Sequence, residues 1–207
     1  MIVLGLTGSI GMGKSTAARM LRRLGVPLYD ADAEVHRLLA PGGGAVRAVE
    51  DAFPGVRNEA GGIDRQKLGR RVFGDAPALR RLEAILHPRI RIVERRFVAR
   101  ARARREKLVV LDIPLLFETG GEGRCDYALV VSAPARLQRE RVMRRPGMTE
   151  QRFADILKAQ TPDRVKRFRA DFVVPTALGK GTTYRRLQSI VRKLRQGERP
   201  RRHRGGR

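Results

Sequence analysis

The chain has no tryptophan, a single cysteine and only 5% aromatic residues across 207 positions. One cysteine, Cys125, excludes an intramolecular disulfide and any zinc cluster built from several cysteines. Scarce aromatics argue against the stacking platform that single-stranded nucleic acid needs. No apolar run approaches the ~20 residues that span a bilayer. The opening MIVLGLTGS has no basic lead and enters a glycine motif directly, so it does not read as a secretory signal. The expected compartment is the cytoplasm, with no membrane partner. Acidic residues are also few: 21 Asp and Glu stand against 45 Lys and Arg, a formal charge of +24. That balance points to anionic partners, such as nucleotides, coenzymes or nucleic acid, without choosing among them. Arginine far outnumbers lysine and Ala and Gly are abundant, so a GC-rich coding bias explains the excess as readily.

What is present is a core. At 42% apolar residues the chain can fold, and its length suits one domain. Ile2 to Leu6 is a short apolar run of the kind buried on both faces of a sheet. Ser15 to Leu24 follows with Ala17, Met20, Leu21 and Leu24 at helical spacing, and Gly25 stops it. Val26 to Tyr29, Leu108 to Ile113, Tyr127 to Ser132 and Phe172 to Val174 read as further strands. Strands separated by helical stretches predict a parallel sheet with crossover helices.

The stretch between Tyr29 and Leu108 is too long for one crossover, and reads as a helical insertion over about 33–105. Within it Leu79 to Leu86 forms one helix. His87-Pro88 is expected to end that helix and start another, on which Ile90, Val93 and Phe97 share a face. The charge run from Arg89 to Lys107 fits a solvated face. Pro146-Gly147 splits a second helical pair, Leu137 to Arg145 and Thr149 to Gln160. The basic tail over 196–207 lacks periodicity and is expected to be disordered.

Gly8-Ser9-Ile10-Gly11-Met12-Gly13-Lys14-Ser15 is a full G-x-x-x-x-G-K-[ST] phosphate loop between a buried strand and an amphipathic helix. Glycines let successive N–H groups curl around phosphates, and the helix N-terminus adds partial positive charge. Lys14 can reach the β- and γ-phosphates, and the Ser15 hydroxyl can ligate Mg²⁺. A GTP switch protein would carry an N-K-x-D string to read the base. The one asparagine, Asn58, is not followed by Lys.

Asp30 and Asp32 close the second strand, on the edge where α/β sheets gather ligands. A carboxylate there can take the proton of an attacking hydroxyl, or it can cap the next helix. Asp112 ends the third strand where a carboxylate can orient the Mg²⁺ shell, and Glu118 points to the same edge. Either can instead cap a helix or pair with an arginine. Chemistry alone leaves His87 structural. Arg65, Arg141 and Arg145 are phosphate-binding candidates among many arginines.

Several ordered blocks give further direction. They are Asp30-Ala31-Asp32, Asp64-Arg65, Leu82-Glu83-Ala84-Ile85-Leu86-His87-Pro88 and Pro114-Leu115-Leu116-Phe117-Glu118, then Gln138, Arg141, Arg145, Gln160 and Ala170-Asp171. With the phosphate loop they make the chain resemble the dephospho-CoA kinase family over roughly Met1 to Gly179. The resemblance implies ATP-dependent phosphorylation of the ribose 3′-hydroxyl of dephospho-CoA, with Mg²⁺, giving CoA and ADP. It implies a P-loop kinase core with five parallel strands over 1–32 and 106–195, an inserted helical substrate domain, and a lid over about 137–160. It assigns Gly11, Met12, Gly13, Lys14, Ser15 and Thr16 to ATP, and makes Asp32 the base. Arg65 and His87 would lie at the acceptor, Arg141 near the adenine, and Arg145 in the lid. Where the family usually has an Asn near the purine, this chain has Val174-Pro175-Thr176-Ala177.

Overall fold

The strand β1 (Ile2–Thr7) is buried from Val3 onward and runs through the phosphate loop into α1 (Lys14–Arg23). The computed structural model describes residues 1–198. After β2 (Leu28–Asp30) come four helices: α2 (Ala31–Leu39), α3 (Val46–Ala52), α4 (Arg65–Val72) and α5 (Ala76–Ala103). The chain then forms β3 (Leu108–Asp112), β4 (Tyr127–Ser132), α6 (Ala135–Met143), α7 (Glu150–Ala159), α8 (Asp163–Arg169), β5 (Phe172–Pro175) and α9 (Lys180–Arg195).

The five strands lie in the order β2-β3-β1-β4-β5. β1 pairs in parallel with β3 and with β4, and β4 with β5. β3 and β4 are buried at every position, which is why they read as unbroken apolar runs rather than alternating ones. The register sets Leu6 opposite Asp112, Thr7 opposite Val130, and Ser132 opposite Pro175. The carboxyl ends of β3, β1, β4 and β5 therefore share one edge, and the loops that follow them gather there.

The chain packs as two compact units. The first joins Met1–Tyr29 to the described residues from Ala101 onward. Its core sets Leu4, Leu6, Leu129 and Val131 of the sheet with Leu21 of α1 and Leu187, Val191 and Leu194 of α9. Each such side chain, fully buried, contributes about 1.5–3 kcal/mol. Arg195 ties α9 to the end of α1, donating to the carbonyls of Leu24 (3.3 Å) and Gly25 (2.8 Å). The second unit, Asp30–Arg100, has its own core of Leu38, Leu39, Val46, Val49, Phe53, Leu68, Leu82 and Leu86.

Pro88 corrects the sequence reading. It lies inside one continuous helix, α5, rather than at the start of a second. Proline removes one ladder donor and crowds the carbonyl a turn earlier, so a helix there needs compensation. Arg89 folds its guanidinium back to donate to the Ile85 carbonyl at 2.7 Å and reaches Gly44 O at 3.0 Å. Arg89 thus tethers this turn to the α2–α3 connection.

At the other end, α9 closes on Gln196. The N–H groups of Gln196, Gly197 and Glu198 bond back to carbonyls of Arg192, Lys193 and Leu194. The rest of the expected basic tail lies outside the described residues. Among the described residues, no helix is long and apolar enough to cross a membrane.

Candidate active site

The phosphate loop is held in shape from outside. Gly11 (φ 75°) and Gly13 (φ 91°) both occupy the left-handed region that favours glycine. A Cβ on Gly11 would come within 2.6 Å of Val142 Cγ2 and 2.9 Å of the Gln138 carbonyl, so the loop packs flush against α6. Three successive loop carbonyls accept side-chain donors. Ile10 O takes Gln138 Nε2 at 2.8 Å, Gly11 O takes Arg141 Nη1 at 3.4 Å, and Met12 O takes Thr176 Oγ1 at 2.8 Å. In a trans peptide the following N–H points the opposite way. Turning the carbonyls outward therefore turns the N–H groups of Gly11 and Gly13 toward the concave side. α1 begins at Lys14, and the first N–H groups of a helix have no intrahelical carbonyl. The result is a cradle for phosphate oxygens.

Inside the cradle's helix, Lys14 Nζ lies 2.8 Å from Asp112 Oδ1. Asp112 is only 3% exposed, at the end of β3 beside Leu6. Ser15 is exposed on the first turn of α1, and Thr16 follows it half-buried. Met12 contributes only backbone: its side chain is 2% exposed in the core, and its sulfur accepts the Ala133 N–H at 3.0 Å. Among the described residues no three His, Cys, Asp or Glu side chains gather to hold a metal. One hydroxyl at Ser15 and one carboxylate at Asp112 match Mg²⁺, which takes few protein ligands and fills its shell with phosphate oxygens and water.

Arg141, expected near the adenine, is half-buried and bonded to the chain itself. It donates to Thr176 Oγ1 (3.0 Å) and the Thr176 carbonyl (2.9 Å) as well as to Gly11 O. Thr176 follows β5, so Arg141 fastens that strand's end to the loop. Arg145 is exposed in the turn between α6 and α7.

Glu118, expected at the ligand edge of the sheet as a substrate-binding candidate, carries a buried cation. Its Oε1 lies 2.8 Å from Lys166 Nζ and accepts the Thr161 N–H at 2.8 Å. Lys166 is fully buried. Burial pushes the Glu118 carboxyl up, but Lys166 and the N–H groups of Glu118 and Thr161 pull harder, and the net effect is below its ordinary value. Glu118→Gln would leave Lys166 buried without its counter-charge, and should cost about 3 kcal/mol in urea unfolding at neutral pH. Lys166→Met should cost less, because Glu118 keeps its N–H donors. A carboxyl lowered on folding stabilises above its ordinary range, and that share fades as pH falls through the lowered value. The gap between wild type and Glu118→Gln should accordingly narrow in acid. Equal stabilities at neutral pH would refute the anchoring role.

In the second unit, the two candidate aspartates are placed differently. Asp30 caps α2, its Oδ1 accepting the Ala33 N–H at 3.0 Å. Asp32 stands exposed in the first turn of that helix. Asp64 caps α4 by accepting from Gln66 and Lys67. The bond from the Lys67 N–H is the main cause of its lowered carboxyl pKa. Arg65 opens α4 and places Nη1 3.2 Å from His36 Nδ1. A guanidinium can only donate, so Nδ1 accepts and the ring carries its proton on Nε2. His36 escaped the sequence reading because nothing local links it to Arg65. His87 is half-buried within α5.

Known proteins resemble this one closely. The family model described as dephospho-CoA kinase matches residues 2–178. The dephospho-CoA kinase of Rhodospirillum rubrum is 59% identical over 198 residues, covering 96% of this chain and 94% of the relative. That of Paramagnetospirillum magneticum is 65% identical over 167 residues, covering 81% and 78%. The crystal structure of TT1252 from Thermus thermophilus superposes with a TM-score of 0.80 at 38% identity, over 93% of this chain and 97% of that one. With its phosphate loop, its parallel sheet and this depth of likeness, the chain belongs to the dephospho-CoA kinase family.

Proposed function

We propose that the protein transfers the γ-phosphoryl group of ATP to the ribose 3′-hydroxyl of dephospho-CoA in the cytoplasm, giving CoA and ADP. The observation that carries this reading is the Lys14–Asp112 pair set in a preformed phosphate cradle, in a chain whose curated relatives bear that name. The loop N–H groups and Lys14 bind the β- and γ-phosphates, and Lys14 follows the charge that spreads over the γ-oxygens. Ser15 and Asp112 would hold Mg²⁺, which when bound neutralises phosphate charge. The second unit serves the acceptor, with Arg65 and His87 at the acceptor site and Asp32 as the base.

Transfer forms the bond from the 3′-oxygen to the γ-phosphorus and breaks the bond from that phosphorus to the β,γ-bridging oxygen. The hydroxyl proton passes to Asp32, and the electron pair of the broken bond stays on ADP. The segment over about 137–160, α6 and α7 with the turn between them, acts as the lid, and Arg145 reaches the phosphates on closure. Excluding water there suppresses ATP hydrolysis. Mixing the protein with Mg-ATP and dephospho-CoA should yield CoA by mass spectrometry. Ready turnover of adenosine or a nucleoside monophosphate, with none of dephospho-CoA, would replace this reading with another small-molecule kinase.

A further inference from the structure

Ile10 is gripped on both sides by side-chain amides from the two ends of one helical pair. Gln138, in α6, donates Nε2 to the Ile10 carbonyl at 2.8 Å. Gln160, just past α7, accepts the Ile10 N–H on Oε1 at 3.1 Å. The two bonds act on the two peptide planes that flank the Ile10 Cα, so together they fix both of its soft dihedrals. Gln138 is 6% exposed and lies where Gly11 touches α6, while the chain after Gln160 is pinned in turn by the Thr161 N–H donating to Glu118 and by Asp163 Oδ2 accepting from Ser132 Oγ (2.7 Å). Gln160 therefore has little freedom to follow a moving α7 without pulling on the loop.

We propose that Gln138 and Gln160 are positioning residues that couple the α6–α7 pair to the phosphate loop through Ile10. Filling the cradle stiffens the pair, and releasing either amide uncouples them. The coupling is reciprocal: what the loop does to the helices, the helices do to nucleotide affinity. This deepens the ATP-site reading above and rests on it.

The chemistry of the grip makes the test asymmetric. Position 160 needs an acceptor and position 138 a donor. Glutamate supplies the first and not the second. Gln138→Met and Gln160→Met should each lower kcat/KM for ATP about five- to tenfold, the worth of one well-placed hydrogen bond, while KM for dephospho-CoA moves less than twofold. The double variant should lose much less than the product of the two, since both act on one residue. Gln160→Glu should recover at least half of what Gln160→Met loses, whereas Gln138→Glu should recover nothing. MgADP should slow amide exchange along α7 in the wild type and fail to do so in Gln160→Met at saturating nucleotide.

Full MgADP protection of α7 in Gln160→Met, or equal behaviour of the two glutamate variants, would overturn the coupling while leaving the ATP site intact. A wild-type chain that does not bind MgADP would overturn the ATP-site reading and the coupling with it.

Discussion

Asp32→Asn is expected to lower kcat by about 10²–10⁴, the usual worth of a general base, with ATP affinity nearly unchanged. A loose phosphoryl transition state asks mainly for positioning and charge stabilisation, yet the ribose hydroxyl must still give up its proton. Asparagine keeps the shape of Asp32 while losing the basic oxygen. The rival explanation for an acid at this place was helix capping, and Asn caps about as well as Asp. The structure gives the cap to Asp30, whose Oδ1 holds the Ala33 N–H. The two tasks can thus be separated: Asp30→Ala should cost about 1 kcal/mol of stability through the lost cap, with chemistry retained once the protein is folded. Asp32→Asn should do the reverse. More than half of wild-type turnover in Asp32→Asn, at saturating ATP and dephospho-CoA, would remove Asp32 from the chemistry.

Lys14→Met is expected to be nearly as damaging, at about 10²–10³ in kcat, the range for deleting a preorganised electrostatic partner of a developing charge. Nucleotide titration should also show weaker ATP binding, because Lys14 meets phosphate in the ground state too. Lys14→Arg should not restore the rate. The cradle is built around a compact ammonium, and a planar guanidinium presents its charge over a wider fork. Asp112 gives Lys14 its position before nucleotide arrives, at 2.8 Å from the ammonium and 3% exposed. Asp112→Asn should accordingly reduce both turnover and the magnesium dependence of nucleotide binding. A Lys14→Met protein within tenfold of wild type, folded by circular dichroism, would refute the role given to the lysine.

Much of the scaffold was legible because burial on two faces leaves a plain signature. The expected bounds of β4 match those observed, and those of β3 differ by one residue, since no solvent-facing position interrupts either run. The phosphate loop was equally plain, because glycine and lysine at that spacing serve few other ends. Position along the chain could not settle which aspartate caps α2, because both suit a helix start. Pro88 misled because local preference is overridden by packing: α5 runs through it with Leu82 and Leu86 in the second unit's core and Arg89 held on Gly44. Lys166 sits in a run, Asp163 to Arg169, that looks solvated throughout, yet it is the fully buried member. Only the fold reveals its carboxylate partner Glu118. Thr176 stood out merely as a departure from the expected asparagine. Its use in holding Met12 O depends on a meeting across 164 positions of sequence.

The central place of β1 in the sheet has a consequence for how the protein is made. Its partners are distant: Ile2 lies beside Leu108 and Leu4 beside Tyr127. During translation β1 and its loop leave the ribosome before either neighbouring strand is synthesised. Gln160 and Thr176, which set the loop's peptides, arrive later still. Pairings this remote in sequence form slowly, and an unmatched apolar strand invites association in the interval. The cradle is thus laid down long before the residues that set its peptides, so that ATP can recognise it only once synthesis has passed Thr176.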